Sequence, residues 1–471
     1  MKDPKKFKRN IRMSLWIFVT LFTVTIVYLG YSILNYGDEW FNTQYNPRIR
    51  SSVQAAQSES GGGAAGNICD RSGIKLAWTE DGVRTYHEKT DIRRSMSHVI
   101  GDTKGMTVGA ESVFVKYLYG INKDLTDKFG SILAGASEKG SDITLTVDAA
   151  LTEYIYDNMD EREGCVVVMN YLTGEILANV SIPTFDPNDL KIDELADTSL
   201  VDRAVMGRYP PGSLMKIVTA TEAVEQGVDF EYNCSGEEIV DGQKITCVKA
   251  HKKNNLAGAF EDSCNCYFAL LANRIGAEAL LEEAEEFGFN RDFGFEDVVL
   301  YRSNFEVTEN GGDIAWAGIG QFNDLITPLH ACMLTSAIAN DGVMMEPKML
   351  ISAASGSYSS YNMAAEEYVQ VCDRGTASVI KEYMYSVVES GTGTSASVGG
   401  TRICGKTGTA EFYDDEAEKI RNHSWFSGFI DDGSYPYAVT VIFEGAGYGS
   451  KHAAPMAGEI FGYLTENMPA V

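Results

Sequence analysis

The chain has 471 residues, enough for more than one domain with its own core. Its 39 basic and 66 acidic residues give a net charge of −27, which excludes nucleic acid as a general partner, because phosphate backbones require a basic surface. The nine cysteines form no Cys-x-x-Cys pair and there is no His-Glu-x-x-His motif. The sequence therefore predicts no metal site and no cofactor.

The chain begins with a basic tail, residues 1–12, that leads directly into an uncharged apolar segment, residues 13–35. This segment is long enough to span a bilayer, and it lacks the shorter core and the cleavage site of a signal peptide, so we expect an uncleaved transmembrane anchor. Because basic flanks stay in the cytoplasm, everything after about Asp38 is expected outside the membrane. The alternative, a buried core helix, is disfavoured by so basic and so terminal a flank.

Residues 36–141 are expected to form a small mixed module, because short apolar runs alternate with turns. A Gly/Ser/Ala-rich stretch at 51–66 predicts a flexible loop within it. A strand pattern at 142–148 then opens the predicted main domain, residues 142–471.

Strands are predicted at both ends of the main domain, around a mostly helical middle. Two apolar runs around a glycine turn, 164–170 and 175–181, predict a β-hairpin. Helical patterns follow from 199 to about 342, strands return in the last part of the chain, and an apolar helix at about 453–468 closes it. We therefore expect an α+β fold in which one antiparallel sheet is sandwiched by helices.

The motif Ser213-Leu-Met-Lys216 follows two prolines and a glycine and begins a helix-compatible run. The free N–H groups and the dipole of a helix start favour negative charge on the serine oxygen. Lys216 shares a helix face with Ser213, and a neutral lysine amine is able to take the hydroxyl proton. The spacing alone is weak evidence, because Ser72-Gly-Ile-Lys75 has it too, and a helix N-cap is the simpler role for an isolated serine.

Two further motifs complete the parts that acyl transfer from an amide requires. Ser263-Cys-Asn265 lies in a helical region, where Ser263 is placed to relay a proton to the leaving nitrogen and Asn265 to hold a substrate amide. Lys406-Thr407 lies in the strand-rich end, where it is expected to bind a terminal carboxylate. Ser213 and Lys216 supply the nucleophile and the base. All three motifs together, in this order and each in suitable local structure, are improbable by chance.

The backbone around these residues has its own predicted roles. The N–H groups of Ser213 and Thr409 are expected to form the oxyanion hole. Gly408 is expected to keep the strand clear for substrate. The charge of Lys406, together with the helix N-terminus, is expected to lower the pKa of Lys216 towards the neutral form that a base requires.

The three motifs together resemble those of penicillin-recognising serine acyl transferases, and more closely those of class B penicillin-binding proteins. Other blocks also look like that family: 174–178, 183–188, 209–220, 320–321, 327–328, 391–394, 405–411, 425–426 and 453–455. The resemblance runs from about Asp142 to the C-terminus and more faintly back to Tyr45. Residues 36–141 are similar to the short pedestal of one branch, although Ala65 precedes Gly66 where the family usually has arginine. In the main domain, His251 is followed by Lys252 where the family often has glycine.

The resemblance implies the penicillin-binding transpeptidase fold and a peptidoglycan D,D-transpeptidase in the bacterial cell membrane, with its catalytic domain outside. Such an enzyme cleaves the D-Ala-D-Ala end of a stem peptide, forms an acyl-enzyme on the serine, here Ser213, and passes the acyl group to an amine of a neighbouring stem. The resemblance also implies covalent inhibition by β-lactam antibiotics. It further implies a polytopic membrane glycosyltransferase as partner.

Other functions fit parts of the sequence. A penicillin-binding sensor that acylates without turnover shares the motifs, as do β-lactamases and D,D-carboxypeptidases, although the predicted anchor and pedestal favour a transpeptidase. Residues 400–407 formally match a phosphate-binding P-loop, so a nucleotide hydrolase is a further alternative. A P-loop is followed by a helix, however, and the residues after 407 have a strand pattern.

The cysteines are given no catalytic role by the sequence. Cys234 and Cys247 bracket a turn-rich segment and would be able to form a disulfide outside the membrane. Cys264 and Cys266 flank Asn265 and are expected to be small buried residues, not ligands.

Overall fold

The computed structural model describes residues 13, 15–28, 65–120, 140–196, 198–356, 358–414 and 418–469. The chain divides into two compact units, Met1–Gln44 and Tyr45–Val471. The predicted tail 1–12, part of the predicted anchor and residues 51–64 of the predicted loop lie outside the described residues. In the first unit, residues 15–28 are helical. Within the described ranges, no helix combines the length and the apolar character needed to cross a membrane.

The second unit contains both helices and strands. Its strands are, in chain order, β1 (Ile68–Cys69), β2 (Lys75–Glu80), β3 (Val83–Tyr86), β4 (Asp142–Leu145), β5 (Gly164–Asn170), β6 (Ile176–Ile182), β7 (Tyr232–Cys234), β8 (Glu237–Val240), β9 (Gln243–Thr246), β10 (Lys252–Asn254), β11 (Val343–Met345), β12 (Leu350–Ser355), β13 (Tyr358–Asn362), β14 (Glu367–Gln370), β15 (Ile403–Asp414), β16 (Lys419–Ile430) and β17 (Tyr437–Phe443).

The α-helices of the second unit are α1 (Thr90–Ser95), α2 (Ser97–Ile100), α3 (Ala110–Val113), α4 (Val115–Leu118), α5 (Ala149–Met159), α6 (Lys216–Gln226), α7 (Leu256–Glu261), α8 (Asn265–Ile275), α9 (Ala277–Glu286), α10 (Gly311–Ala317), α11 (Pro328–Ala339), α12 (Arg374–Glu389) and α13 (Ala453–Asn467). Short 3-10 turns lie at Ile192–Glu194, Gly212–Leu214 and Thr394–Ala396.

A five-stranded sheet forms the centre of the unit, with the strand order β15-β16-β17-β5-β6. All of its neighbouring strands pair antiparallel. The predicted hairpin is confirmed as β5 and β6, and the closing helix as α13. Every residue of β5, β6 and β17 is buried, which requires cover on both faces of the sheet.

Helices supply that cover, so the predicted helix-sheet-helix sandwich is confirmed. Side chains of β5 alternate between two hydrophobic clusters: Cys165 and Val167 pack in the cluster that contains α11, while Val166 and Val168 pack with α5 and α13. Helix α11 is buried along its whole length, as expected for a helix that is apolar on all sides.

A second sheet has the order β13-β12-β4-β1-β2-β3, in which β1 and β4 are parallel and the other pairs antiparallel. Strand β4, at the start of the predicted main domain, pairs with β1 on one side and with β12 on the other. The division of the chain at 141/142 stays a prediction.

The predicted mostly helical middle is wrong for residues 232–254. This segment forms four short strands in two two-stranded sheets, β7 with β10 and β8 with β9. Asp241 and Gly242, which join β8 to β9, both have positive φ, 48° and 82°. Asp-Gly is a strong two-residue hairpin signal, so the turn chemistry of this pair decides the local structure.

Candidate active site

Ser213 lies half-buried in the 3-10 turn directly before α6. The turn requires Gly212, whose φ is +53° and whose added Cβ would lie 2.8 Å from the carbonyl oxygen of Thr409. On the other side, the Gly212 N–H donates to the carbonyl of Gly320 at 3.0 Å. The turn Gly212–Leu214, which carries the predicted nucleophile and is here called the nucleophile turn, is therefore held between β15 and the loop at Gly320.

Two other segments that resemble the family hold the same turn. The indole N–H of Trp425 donates to the carbonyl oxygen of Pro210 at 3.2 Å, and Trp425 itself is fully buried. The side-chain oxygen of Gln321 accepts the backbone N–H of Glu411 at 3.1 Å, which ties the Gly320 loop to β15. Trp425 thus positions the turn in addition to packing in the core.

Ser263 has a left-handed backbone conformation, with φ of 55°. It follows the end of α7. Its backbone N–H donates to the carbonyl oxygen of Phe260 at 3.2 Å, and the N–H of Cys264 donates to the carbonyl oxygen of Ala259 at 2.8 Å. Glycine is the usual residue at such a helix end, because a side chain there costs conformational energy. Asn265 then starts α8, so both polar residues of the motif lie at a helix junction. Backbone strain of this kind is concentrated at functional sites.

Lys216 is fully buried and points to this junction. Its Nζ donates to the carbonyl oxygen of Ser263 at 2.8 Å, to the Ser263 hydroxyl at 3.3 Å and to Oδ1 of Asn265 at 2.6 Å. These acceptors occupy all three donors of an ammonium group. Loss of one proton leaves two donors to hold the geometry and creates a lone pair that can accept a proton.

Lys406 is also fully buried, and it reaches the same hydroxyl from strand β15. Its Nζ donates to Ser263 Oγ at 2.9 Å and to the carbonyl oxygen of Thr407 at 3.2 Å. Ser263 Oγ therefore accepts from Lys216 and Lys406 and uses both lone pairs. Its own proton remains available for a third group, as a proton relay requires.

Burial sets the charge state of both lysines. It lowers the pKa of Lys216 to about 8, while the nearby cysteines oppose the shift. Burial, and secondly the charge of Lys216, lower the pKa of Lys406 well below its ordinary range. The direction for Lys216 is the expected one, but its leading cause is desolvation and not the charge of Lys406.

Strand β15 carries the third motif, with alternate side chains on opposite faces. The hydroxyls of Thr407 and Thr392 are 2.7 Å apart, and Oγ1 of Thr409 accepts the N–H of Gly449 at 3.3 Å. Gly408 has a packing role that the sequence did not predict, while its predicted role in substrate access stays a prediction. Its added Cβ would lie 2.8 Å from Cβ of Trp425, so glycine permits the close packing of these two strands.

We expect Gly408→Ala to lower the free energy of unfolding by about 1–3 kcal/mol, the usual cost of overpacking a core. The added methyl would meet Trp425 and, at 3.2 Å, the carbonyl oxygen of Pro211, and neither can move without displacing the nucleophile turn. Denaturant unfolding measures the change. Gly399→Ala is the matched control, because a Cβ there has no atom within 4 Å. Equal stabilities of the two variants would contradict the packing argument.

The P-loop interpretation does not fit the structure. β15 continues as a strand from Ile403 to Asp414, through Lys406 and Thr407. A P-loop needs a helix N-terminus directly after its Lys-Thr pair to bind phosphate.

The structure also assembles a group that the sequence prediction missed: Cys234, Cys247, His251 and Cys264, here called the Cys/His cluster. Their ligand atoms all lie within 4.8 Å of one another. The available signal was the spacing Cys-x12-Cys-x3-His-x12-Cys. Cys264 is buried as expected, yet it also belongs to this potential metal site. Cys234 and Cys247, for which the sequence left a disulfide open, are free thiols with Sγ atoms 3.9 Å apart.

Sequence comparisons show that the chain is similar to penicillin-binding transpeptidases and related proteins. A family profile described as the penicillin binding protein transpeptidase domain matches residues 164–462. Stage V sporulation protein D of Bacillus subtilis is 30% identical over 430 residues, which cover 83% of this chain and 65% of the relative. Peptidoglycan D,D-transpeptidase MrdA of Haemophilus influenzae is 28% identical over 383 residues, 70% of this chain and 58% of the relative. The chain thus spans less than two thirds of the length of these relatives.

Solved structures have the same fold. The D,D-transpeptidase domain of a peptidoglycan glycosyltransferase from Eggerthella lenta superposes with a TM-score of 0.73 at 27% identity, over 86% of this chain and 99% of that one. Penicillin-binding protein A of M. tuberculosis superposes with a TM-score of 0.78 at 22% identity, over 87% of this chain and 100% of that one.

Proposed function

The chain belongs to the penicillin-binding protein transpeptidase family, and from that membership we propose that it is a peptidoglycan D,D-transpeptidase. The observation that carries the proposal is the hydroxyl of Ser263, which accepts hydrogen bonds from both buried lysines beside the nucleophile turn. Such an arrangement suits proton transfer between a serine nucleophile and a leaving amine. The names of the relatives in H. influenzae and E. lenta point to the same reaction.

In the proposed acylation, Ser213 Oγ attacks the carbonyl carbon of the penultimate D-Ala and its proton passes to neutral Lys216. The N–H groups of Ser213 and Thr409 stabilise the oxyanion. The proton then reaches the nitrogen of the departing D-Ala through the Ser263 hydroxyl, which Lys216 contacts at 3.3 Å. Deacylation reverses these transfers with an amine of a second stem peptide as the attacking group.

Substrate binding is assigned to the residues beside this path. We place the terminal carboxylate at Thr407, near the charge of Lys406 when that lysine is protonated. Asn265 holds a substrate amide, which is compatible with its position at the start of α8. β-lactams would enter the same path and remain as the acyl group on Ser213.

The setting of the enzyme is part of the proposal. Residues 13–35 would anchor the chain in a bacterial cell membrane, supported by their lack of charge after a basic tail. Residues 142–471 would then be the catalytic domain outside the membrane, carried by a pedestal at 36–141. A polytopic membrane glycosyltransferase is the proposed partner, on the family resemblance.

Turnover of a donor peptide that ends in D-Ala-D-Ala, with and without an added amine, tests the proposal. We expect catalytic release of D-Ala, and a new amide product whose share rises with the amine concentration at the expense of hydrolysis. Mass spectrometry measures both products. Release of a single D-Ala per chain would instead indicate a sensor, and hydrolysis that is insensitive to amine would indicate a carboxypeptidase.

A further inference from the structure

Three glutamates on two packed helices, α6 and α9, bring their carboxylates together. Glu222 and Glu225 are three residues apart on α6 and therefore share one of its faces, while Glu283 lies on α9. One oxygen from each carboxylate lies within 4.8 Å of one oxygen from each of the other two. These three residues, here called the carboxylate cluster, place like charges at a contact between helices.

The charges around the carboxylate cluster add to its negative charge. The neighbouring charges that shift the pKa values of its members are those of other carboxylates, among them Glu286 and Asp373. Burial, and secondly these charges, raise the pKa of Glu283 to about 9. Like charges at this spacing destabilise a helix contact, so the cluster needs either a counter-charge or a bound proton.

Glu283 is the member that points to a ligand. It is only 2% exposed, and a glutamate is rarely buried to this degree without a partner. Among the residues that the structure describes, none donates a hydrogen bond to its Oε1. A buried carboxylate oxygen without a partner costs free energy, so this oxygen indicates a group that binds between Glu283 and the two glutamates of α6.

The donor set favours Ca²⁺ as that group. Ca²⁺ takes about six to eight oxygens at about 2.3–2.6 Å, so two oxygens of one shell can lie up to about 5 Å apart, and three carboxylates supply up to six of them. Mg²⁺ needs a smaller octahedral shell at about 2.0–2.1 Å and is usually bound through only one or two carboxylates.

The surroundings of the cluster also suit a cation. Nε2 of Gln226 donates to Oε1 of Glu222 at 2.5 Å, the kind of outer contact that orients a ligating carboxylate. Glu222 is half-buried and Glu225 is exposed, which gives an ion a way in from solvent and leaves room for water in its shell.

We propose that the carboxylate cluster binds one Ca²⁺ ion, in preference to Mg²⁺, and that the ion bridges α6 to α9. Glu283 gives up its proton to solvent when the ion binds, because a carboxylate binds a cation only in its ionised form. Helix α6 begins at Lys216, so the bridge holds the helix that carries the second residue of the first motif. The ion lies in the second half of that helix and takes no part in acyl transfer.

The test is a titration of the purified full-length chain, freed of metal by a chelator, with CaCl2 and with MgCl2 at constant ionic strength. Calorimetry is expected to give one Ca²⁺ per chain with a Kd below about 10⁻³ M, and binding of Mg²⁺ that is weaker by at least about tenfold. The unfolding temperature should rise with the Ca²⁺ concentration, because the ion binds the folded chain. Constant ionic strength removes the general effect of salt on a chain with a net charge of −27.

Two variants remove one ligand each. Glu283→Gln keeps the shape of the protonated side chain, and Glu225→Gln changes an exposed residue, so both are expected to fold. In each variant the Ca²⁺ affinity should fall at least about tenfold, and the rise in unfolding temperature should shrink with it. Glu278→Gln is the matched control, because Glu278 is an exposed glutamate of α9 outside the cluster, and it is expected to respond to Ca²⁺ like wild type.

The proposal would be overturned by a wild-type chain whose unfolding temperature does not respond to Ca²⁺, or responds equally to Mg²⁺. The same Ca²⁺ response in wild type, Glu283→Gln and Glu225→Gln would also overturn it, since the ion would then bind elsewhere on the acidic surface. In either case the burial of Glu283 would be explained by its bound proton alone.

Discussion

Replacing Ser213 by alanine is expected to abolish covalent labelling by a fluorescent penicillin, with the acylation rate constant falling at least about 10³-fold. Wild type should show one adduct by intact mass analysis, and the variant none. The substitution removes only the attacking oxygen. Ser213 is half-buried in a turn that Gly212 and Trp425 hold by backbone and side-chain bonds of their own, so thermal unfolding should change little.

The chain provides a matched control for this experiment. Ser72 and Lys75 have the same spacing as Ser213 and Lys216, but both are exposed, and Lys75 begins strand β2. Ser72→Ala is therefore expected to label like wild type. An adduct that persists in Ser213→Ala, or one that is lost in Ser72→Ala, would show that the acylated residue has been assigned wrongly.

The local structure of the three motifs was predictable, while their roles in acyl transfer stay predictions. The patterns predicted Ser213 before a helix and Lys406 on a strand, where the structure has them. The sandwich was predictable because β5 and β17 are mostly apolar runs, and strands of this kind need helices on both faces of their sheet.

What the sequence could not provide depends on long-range packing. The pKa of Lys216 is lowered by burial, which becomes visible only when α6, α7 and α8 are packed together. The close contact between Gly408 and Trp425, a residue on another strand, also had no sequence signal. The left-handed conformation of Ser263 likewise has no sequence signal, because serine rarely adopts it.

The Cys/His cluster was missed for a related reason. Its four members are separated by loops, so the usual paired spacing of zinc ligands is absent, and only the hairpins of 232–254 bring them together. The sequence did show one unusual residue in this segment, the lysine at position 252. Lys252 has φ of 61°, a conformation natural to the glycine that the family often has there.

The pH dependence of penicillin acylation tests the role of Lys216 as base. With its pKa lowered to about 8, Lys216 is mostly protonated at pH 6 and mostly neutral at pH 9. The neutral fraction falls about tenfold for each pH unit below the pKa, so the acylation rate constant at pH 6 should be about 100-fold below its plateau. Stopped-flow measurement of acylation between pH 6 and 9.5 records the profile.

Two variants distinguish the contribution of Lys216 to the pH profile from that of its buried neighbour Lys406. Lys216→Arg keeps a charge that no accessible pH removes, so the rise with pH should disappear and the plateau should fall about 10²–10⁴-fold. In Lys406→Arg the rise near pH 8 should remain at a lower plateau, because the group that loses its proton is still present. A wild-type rate that is constant across this range, or a rise that is lost only with Lys406, would mean that Lys216 is not the base.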